Sequence, residues 1–435
     1  MNLGLVAIVG SPSVGKSTIF NRIIGEKKSI IETQRGVTRD RIYSKTSWLT
    51  REFNIVDTGG IEIENKPFQE QIRIQAEIAI DEADVILFVV DGKIGLTEDD
   101  KFVSRMLYKS KKPVILAVNK IDDAHLKNNI YEFYNLGLGE PIACSGAHGV
   151  GIGDILDAII KDLPNKEDTE DDESIRFSII GRPNVGKSSL CNALLNEDRV
   201  IVSNIEGTTR DAIDTTFVRN EQRFTVIDTA GLKKRGKIYE SIDKFAALRA
   251  LRAIDNSDIC LLVIDADKGI QEQDKHVVGY AVEAKKAIII VVNKWDLVKK
   301  DNNSMNEFTK NIRKEFKFLD YAPIIYVSAL NKTRVNNIFE ILLKVYESYT
   351  YSIQTSVLND IIQEAQMMNE SPDFNGGRCR IYYAQQVNNK PMTIALFAND
   401  PKWMHFSYLR YIENRIRESF ELEGSPINLI LRKKK

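Results

Sequence analysis

Short apolar runs recur along the chain and are separated by longer amphipathic stretches. Leu3–Val9, Phe53–Val56 and Val114–Val118 read as strands in the first part, and Phe177–Ile180, Phe224–Ile227 and Ala287–Val292 in the second. From Lys16 onward, Ser-Thr-Ile-Phe-Asn-Arg-Ile-Ile has helical spacing. Strands alternating with helices predict an α/β architecture around a mostly parallel sheet, with ligand loops at the carboxyl ends of the strands. At Ser352 the pattern changes. Beyond it Val357–Met368 and His405–Phe420 read as helices, and Cys379–Gln386, Thr393–Ala398 and Ile427–Leu431 as strands, which predicts a small mixed α+β domain on a short sheet.

The first two parts repeat each other. Gly10-Ser-Pro-Ser-Val-Gly-Lys-Ser17 returns as Gly181-Arg-Pro-Asn-Val-Gly-Lys-Ser188, an offset of 171. Gly36-Val-Thr-Arg-Asp40 and Asp57-Thr-Gly-Gly60 return at the same offset as Gly207-Thr-Thr-Arg-Asp211 and Asp228-Thr-Ala-Gly231. Asn119-Lys-Ile-Asp122 matches Asn293-Lys-Trp-Asp296 at 174, and Cys144-Ser-Gly-Ala147 matches Val327-Ser-Ala-Leu330 at 183. The offset grows only between motifs, where surface segments tolerate insertion, so the chain carries a duplicated domain. Predicted boundaries are 1–162 and 175–348 for the copies, 163–174 for an acidic linker and 349–435 for the C-terminal domain. The linker is charged and lacks apolar periodicity, so it extends by self-repulsion and reads as a passive spacer.

Each copy places a glycine-rich turn between a strand and a helix N-terminus, the context of a phosphate loop. Its N–H groups and the helix dipole cradle phosphates, with Gly10, Ser13, Gly15 and Thr18 in the first loop and Gly181, Asn184, Gly186 and Ser189 in the second. Lys16 and Lys187 are expected to reach the outer phosphates, and the hydroxyls of Ser17 and Ser188 to bind Mg²⁺. Asp57 and Asp228 end strands, where a carboxylate holds Mg²⁺ through water, and Gly60 and Gly231 let a backbone N–H approach the terminal phosphate. Thr38 and Thr209 are expected to join the Mg²⁺ shell only when GTP holds their loop in place. Asn119, Lys120 and Asp122, like Asn293, Lys294 and Asp296, follow apolar strands. An aspartate there accepts from the N1–H and 2-amine of guanine, a donor pair that adenine lacks. Ser145 with Gly146, and Ser328 with Ala329, are expected to support the base from the backbone. The expected ligands are GTP or GDP with Mg²⁺.

Composition narrows the setting. The net charge of −1 advertises no polyanion partner, so any nucleic-acid contact needs a local patch. Cys144, Cys191, Cys260 and Cys379 are widely spaced, which argues against zinc and disulfides and fits a reducing cytosol. No apolar run approaches a membrane span, and Met1–Gly10 reads as a strand entering a turn rather than a signal segment, so a cytoplasmic protein is expected. From Ser352 there are 11 Lys/Arg against 9 Asp/Glu. Arg410, Arg415, Arg417 and the tail Arg432–Lys435 are equally a solvated face or an RNA-phosphate contact, while Asn375-Gly-Gly-Arg378 reads as a hairpin turn before a nucleotide-gripping loop.

Tandem phosphate loops with paired Asn-Lys-x-Asp motifs and a C-terminal tail closely resemble the bacterial Der family, also called EngA. The resemblance runs from Leu5 to about Leu431, with Gly207-Thr-Thr-Arg-Asp-Ala212 and Asn293-Lys-Trp-Asp296 as local signatures. It implies two Era-like P-loop GTPase domains joined to a KH-like domain, acting in assembly of the large (50S) ribosomal subunit. It further implies rRNA and ribosomal proteins as partners, with no DNA and no membrane, and a monomeric state. Ras-type GTPases orient water with a glutamine just after Asp-x-x-Gly, where this chain has Ile61 and Leu232. Related GTPases substitute K⁺, held partly by a phosphate-loop asparagine. Asn184 stands at that position in the second copy and Ser13 in the first, so K⁺ activation is expected at the second site and less at the first. The alternative is a guanine-nucleotide-binding scaffold with little turnover, which the missing glutamines favour and the complete Mg²⁺ and switch residues disfavour. A tRNA-modifying or membrane-remodelling GTPase stands further off, because Cys379 reads as lying inside a strand and no amphipathic membrane helix is evident.

Overall fold

The computed structural model describes residues 4–25, 43–49, 51–60, 68–164, 174–196, 201–202, 214–228, 243–298 and 303–433. Thr38, Thr209, Gly231, Ile61, Leu232, both Gly-x-Thr-Arg-Asp stretches, the charged run 165–173 and Lys434–Lys435 lie outside the described residues. Two compact units make up the chain, Met1–Asp171 with Ser241–Leu248 and Asp172–Glu240 with Arg249–Lys435.

The first unit is built on six strands: β1 (Leu5–Val9), β2 (Tyr43–Trp48), β3 (Arg51–Asp57), β4 (Val85–Asp91), β5 (Val114–Asn119) and β6 (Ile142–Ala143), in the order β2-β3-β1-β4-β5-β6. All neighbours run parallel except the β2–β3 hairpin. Every residue of β4, Val-Ile-Leu-Phe-Val-Val-Asp, is buried, as a strand covered by helices on both faces requires. Helices α1 (Lys16–Gly25) and α4 (Ile152–Asp162) cover one face, with Ile19, Phe20 and Ile23 of α1 and Ile155, Leu156 and Ile159 of α4 meeting Val6, Ile8, Phe53 and Ile55 in one core. The chain reverses direction across the sheet at β1, so the turn after β1 opens beside the ends of β3 and β4, where open α/β sheets place their ligands.

The second unit repeats this sheet with β7 (Ile175–Ile180), β8 (Ile201–Val202), β9 (Thr215–Arg219), β10 (Gln222–Ile227), β11 (Ile259–Asp265), β12 (Ala287–Asn293) and β13 (Ile324–Tyr326), ordered β13-β12-β11-β7-β10-β9-β8. Strands β7, β10, β11, β12 and β13 are parallel, and β8–β9–β10 form the antiparallel flank. The predicted strands are all present, most of them longer than predicted: Phe53–Val56 extends to Arg51–Asp57, so Asp57 lies inside its strand.

The rest of that unit is the C-terminal α+β domain, β16 (Ile381–Asn389), β17 (Met392–Ala398) and β18 (Asn428–Lys433), covered by the helices Thr355–Met368 and Phe406–Ser419. β16 pairs antiparallel and β18 parallel with the central β17. The outer edge of β16 is closed by side-chain amides: Gln366 bonds both the N–H and C=O of Ile381, and Asn359 both those of Ala384. Amides that imitate a neighbouring strand in this way remove an edge that invites unwanted pairing. Asn375–Gly376 turns a two-residue hairpin between β14 (Asp373–Phe374) and β15 (Gly377–Arg378), with φ +51° and +86°, as an Asn-Gly turn of the primed type requires. Cys379 is buried but lies just before β16, outside the strand expected for it.

This domain is stitched to the α/β domain of the same unit. The Gly424 C=O accepts from the Ile288 N–H at 2.9 Å, extending β12 past the end of β13, and the Gly424 N–H donates to the Tyr321 C=O at 2.8 Å. The Arg417 guanidinium lies 4.4 Å from the centre of the Tyr321 ring and bonds the carbonyl of Ser425 at 2.9 Å. Arg417, expected as a solvated or phosphate-binding residue, is therefore part of this seam, and Arg415 is paired with Glu418 and Glu364.

Candidate functional site

The two phosphate loops adopt one backbone. In each, six residues separate strand from helix: β1 stops at Val9 before α1 begins at Lys16, and β7 at Ile180 before α5 (Lys187–Leu195) begins at Lys187. Gly15 and Gly186 both have φ +96°, and a Cβ on either would lie 2.3 Å from the side-chain nitrogen of Asn119 or Asn293, so only glycine fits. Ser13 and Asn184 share the left-handed region, at φ +66° and +64°. Asparagine is at home there and serine is not, so the first loop holds its unusual residue at some backbone cost.

The loop lysines also match. Lys16 Nζ donates to the carbonyls of Gly10 at 2.7 Å and Ser11 at 2.9 Å, and Lys187 Nζ to those of Gly181 and Arg182, both at 2.8 Å. Burial pushes the Lys16 pKa down, and the Asp57 carboxylate partly restores it. An ammonium folded back over a ring of N–H groups presents positive charge where phosphate oxygens would lie, so the loop fits a polyphosphate.

At the position expected to hold Mg²⁺ the copies diverge. Ser17 Oγ donates to Asp57 Oδ2 at 2.5 Å, the Gly59 N–H donates to Oδ1 at 2.8 Å, and Thr58 ties the turn to the Ile8 carbonyl at 2.6 Å. Gly60 ends this short turn. A buried carboxylate beside a hydroxyl at a helix N-terminus is the oxygen donor set a hard cation takes. Asp228 instead leaves β10 at φ +60° and its N–H donates to Asp214 Oδ1 at 2.9 Å. Ser188 and Ser189 lie in the first turn of α5, as Ser17 and Thr18 do in α1.

The two asparagines of the Asn-Lys-x-Asp motifs are struts. Asn119 donates to the Val14 carbonyl at 2.7 Å and accepts from the Gly146 N–H at 2.9 Å. Asn293 donates to the Val185 carbonyl and accepts from the Ala329 N–H, both at 3.0 Å. They lock the phosphate loop to the base loop, and the Gly146 and Ala329 N–H groups expected at the base are directed to them. Lys120 and Lys294 are held by two residues that sequence reasoning missed, Asp91 and Asp265, each at 2.6 Å. Against the upward push of its burial, the Lys294 ammonium and backbone N–H groups hold the Asp265 carboxyl below its ordinary range. Both aspartates end fully buried strands, the same signal that singled out Asn119.

The carboxylates expected to read the base differ most. Asp122 Oδ1 accepts from Ser145 Oγ at 2.7 Å and Oδ2 from Lys93 Nζ at 2.5 Å. The bond to Lys93 is the main reason the Asp122 carboxyl sits below its ordinary range, and the same bond raises Lys93. In the second copy Asp296 Oδ1 is buried with no hydrogen-bond partner, and Asp296 lines a cleft of about 340 Å³ with Trp295, Ser328 and Arg334. A buried acceptor facing a cleft is what a donor-bearing base needs.

The second residue of each phosphate loop reaches a helix N-terminus. Ser11 Oγ bonds Asp100 at 3.2 Å, whereas Arg182 forms a buried ion pair with Asp274 at 3.2 Å and bonds the Gly269 carbonyl at 2.9 Å. Burial raises the pKa of both aspartates, with Asp100 restrained by Thr97 and Asp274 first by the Gln271 N–H.

Comparison with known proteins joins these observations. The family described as "50S ribosome-binding GTPase" matches residues 5–120 and 176–294, and "KH-domain-like of EngA bacterial GTPase enzymes, C-terminal" matches residues 352–432. The chain is 56% identical over 432 residues to GTPase Der of Listeria monocytogenes (strain HCC23), covering 99% of each chain. It is 58% identical over 431 residues to GTPase Der of Enterococcus faecalis, again covering 99% of each. Among solved structures, Era in complex with MgGDPNP and nucleotides 1506–1542 of 16S ribosomal RNA is 23% identical, covering 60% of this chain and 93% of that one at a TM-score of 0.31. Among the described residues no helix is long and apolar enough to cross a membrane.

Proposed function

The chain belongs to the GTPase Der family, GTP-binding hydrolases with two P-loop domains and a KH-like C-terminal domain, and from that footing we propose that it is a Mg²⁺-dependent switch acting in assembly of the large ribosomal subunit. The observation that carries the reading is the doubled site, two phosphate loops with superposable lysine and asparagine contacts. In each, the lysine exchanges the loop's own carbonyls for the β- and γ-phosphate oxygens of GTP, so positive charge already in place meets charge as it builds in the transition state. Ser17, Asp57 and Thr38, and in the second copy Ser188, Asp228 and Thr209, would hold Mg²⁺, which supplies charge neutralisation between the phosphates. Gly60 and Gly231 bring a backbone N–H to the γ-phosphate, and Asp122 and Asp296 read guanine. Asn184 would hold K⁺ in lieu of a glutamine, and Ser13 reaches less far. Loss of the γ-phosphate then releases the loops bearing Thr38 and Thr209 and ends the interaction with rRNA and ribosomal proteins. The family description "50S ribosome-binding GTPase" supports that partner, a cytoplasmic setting follows from it, and a monomer suffices.

The test is co-sedimentation of the full chain with purified large subunits in K⁺ buffer, with GDP or a non-hydrolysable GTP analogue. Association that depends on the nucleotide is expected. No association in any state would remove ribosome assembly as the purpose while leaving the GTP sites standing.

A further inference from the structure

One loop has the same backbone in both G domains and, at one position of its tip, side chains of opposite charge. After β4, the N–H groups of Lys93 and Ile94 donate to Asp91 Oδ1 at 2.9 and 3.3 Å; after β11, those of Asp267 and Lys268 donate to Asp265 Oδ1 at 3.0 and 3.3 Å. Position for position, Lys93 corresponds to Asp267. Lys93 spans to the base loop and closes on Asp122 Oδ2 at 2.5 Å, while Ser145 already holds Oδ1 at 2.7 Å. The carboxylate of the first domain therefore has a donor on each oxygen before any base arrives. In the second domain an aspartate stands at the loop tip and cannot play this part, and Asp296 Oδ1 remains buried and without a partner.

A carboxylate gains most from a ligand donor when it would otherwise be unpaired, because an unpaired buried acceptor carries the full cost of its desolvation. One already satisfied by an ammonium must exchange a charged donor for the neutral N–H groups of guanine. We propose that Lys93 sets the guanine affinity and selectivity of the first G domain, competing for Asp122 with the N1–H and 2-amino donors of the base. The first domain then binds guanine nucleotide more weakly than the second and penalises loss of the 2-amino group less. The lysine is half exposed, so it can swing into solvent when the base enters. The inference rests on the reading of Asp122 and Asp296 as the residues that recognise guanine.

The experiment uses the full chain with Lys187→Ala, so that the first site reports alone, and measures displacement of fluorescent GDP by GDP and by IDP, which lacks the 2-amino group. Adding Lys93→Ala is expected to tighten GDP by about fivefold, the effect of one partly exposed ion pair, and IDP by less, so that the GDP/IDP ratio widens. The reverse exchange, Asp267→Lys on a Lys16→Ala chain, is expected to weaken GDP and narrow the ratio at the second site. Unchanged or weaker GDP binding in the Lys93→Ala chain overturns the proposal, the weaker case meaning that Lys93 orients Asp122 rather than competing for it. Asp122→Ala separates the two levels. A ratio that does not collapse in that variant overturns Asp122 as guanine reader; a ratio that collapses while Lys93→Ala does nothing overturns only the role of Lys93.

Discussion

Set side by side, the two G domains keep the same skeleton of backbone contacts and fill it with different charges. Both lysines cap their loop carbonyls and both asparagines brace phosphate loop against base loop. Yet Ser11 stands where Arg182 does, Ser13 where Asn184 does, and Lys93 where Asp267 does. The first domain closes its polar groups on each other, Ser17 on Asp57 and Lys93 on Asp122. The second leaves an acceptor waiting at Asp296 and puts a buried ion pair, Arg182 with Asp274, into the frame behind the loop. A ligand that must displace internal bonds gains only the difference, so identical scaffolds can bind one nucleotide with different strength and selectivity.

The largest effect that could break this comparison is at the loop lysines. Lys16→Ala and Lys187→Ala are each expected to lower single-turnover GTP hydrolysis at their own site on the order of 10²- to 10³-fold, leaving the other site active. Loss at both sites from one substitution would mean the domains do not work separately. Next, Arg182→Ala strands the buried Asp274 and is expected to destabilise the second unit by about 3 kcal/mol, against about 1 kcal/mol in the first for Ser11→Ala, as read by chemical denaturation. Equal costs would show that the frames are equivalent after all. Exchanging Asn184→Ser and Ser13→Asn should move K⁺ stimulation of turnover from the second site to the first, by about tenfold at each. The smallest expected effect is no effect. Asp122 lies below its ordinary 3.8 and Lys93 above its ordinary 10.5, so the pair is fully charged between them and weakens only as pH falls through the Asp122 value or rises through that of Lys93. The change in GDP affinity on Lys93→Ala should therefore be the same at pH 6 and pH 8, and a slope across that range would point to His148, whose Nε2 lies 4.0 Å from Asp122 Oδ1.

Much of this comparison is legible in the chain because its motifs are local. A glycine turn between a strand and a helix, or an Asn-Gly pair between two short strands, carries its geometry within a few residues, and the loops of Gly10–Ser17 and Asn375–Gly376 form as read. Element order predicts a small α+β domain on a short sheet, and the resemblance to the Der family supplies its KH-like character. What the chain conceals are pairings made across the sheet: Asp91 with Lys120, Lys93 with Asp122, Arg182 with Asp274. The first two join the ends of different strands or the loops after them, and the third joins a loop to the first turn of the helix Glu272–Glu283, so only the register of β4 with β5, or of β11 with its neighbours, brings the partners together. The same holds for Arg417, which looks solvent-facing on its helix and is covered because a second domain packs there.

Gly424 gives that packing a mechanical meaning. Its φ of +74° and the 2.6 Å approach of Val345 to a hypothetical Cβ leave room for no other residue, and it grips the start of β12 at Ile288. β12 runs from there, fully buried, to Asn293, one residue before the lysine and three before the aspartate of the second base loop. A strand is stiff along its axis, so a displacement of Gly424 would be carried along a single rod to the loop proposed to read guanine. If that link is transmitted, Gly424→Ala, though remote from the site, is expected to register as faster release of GDP from the second domain.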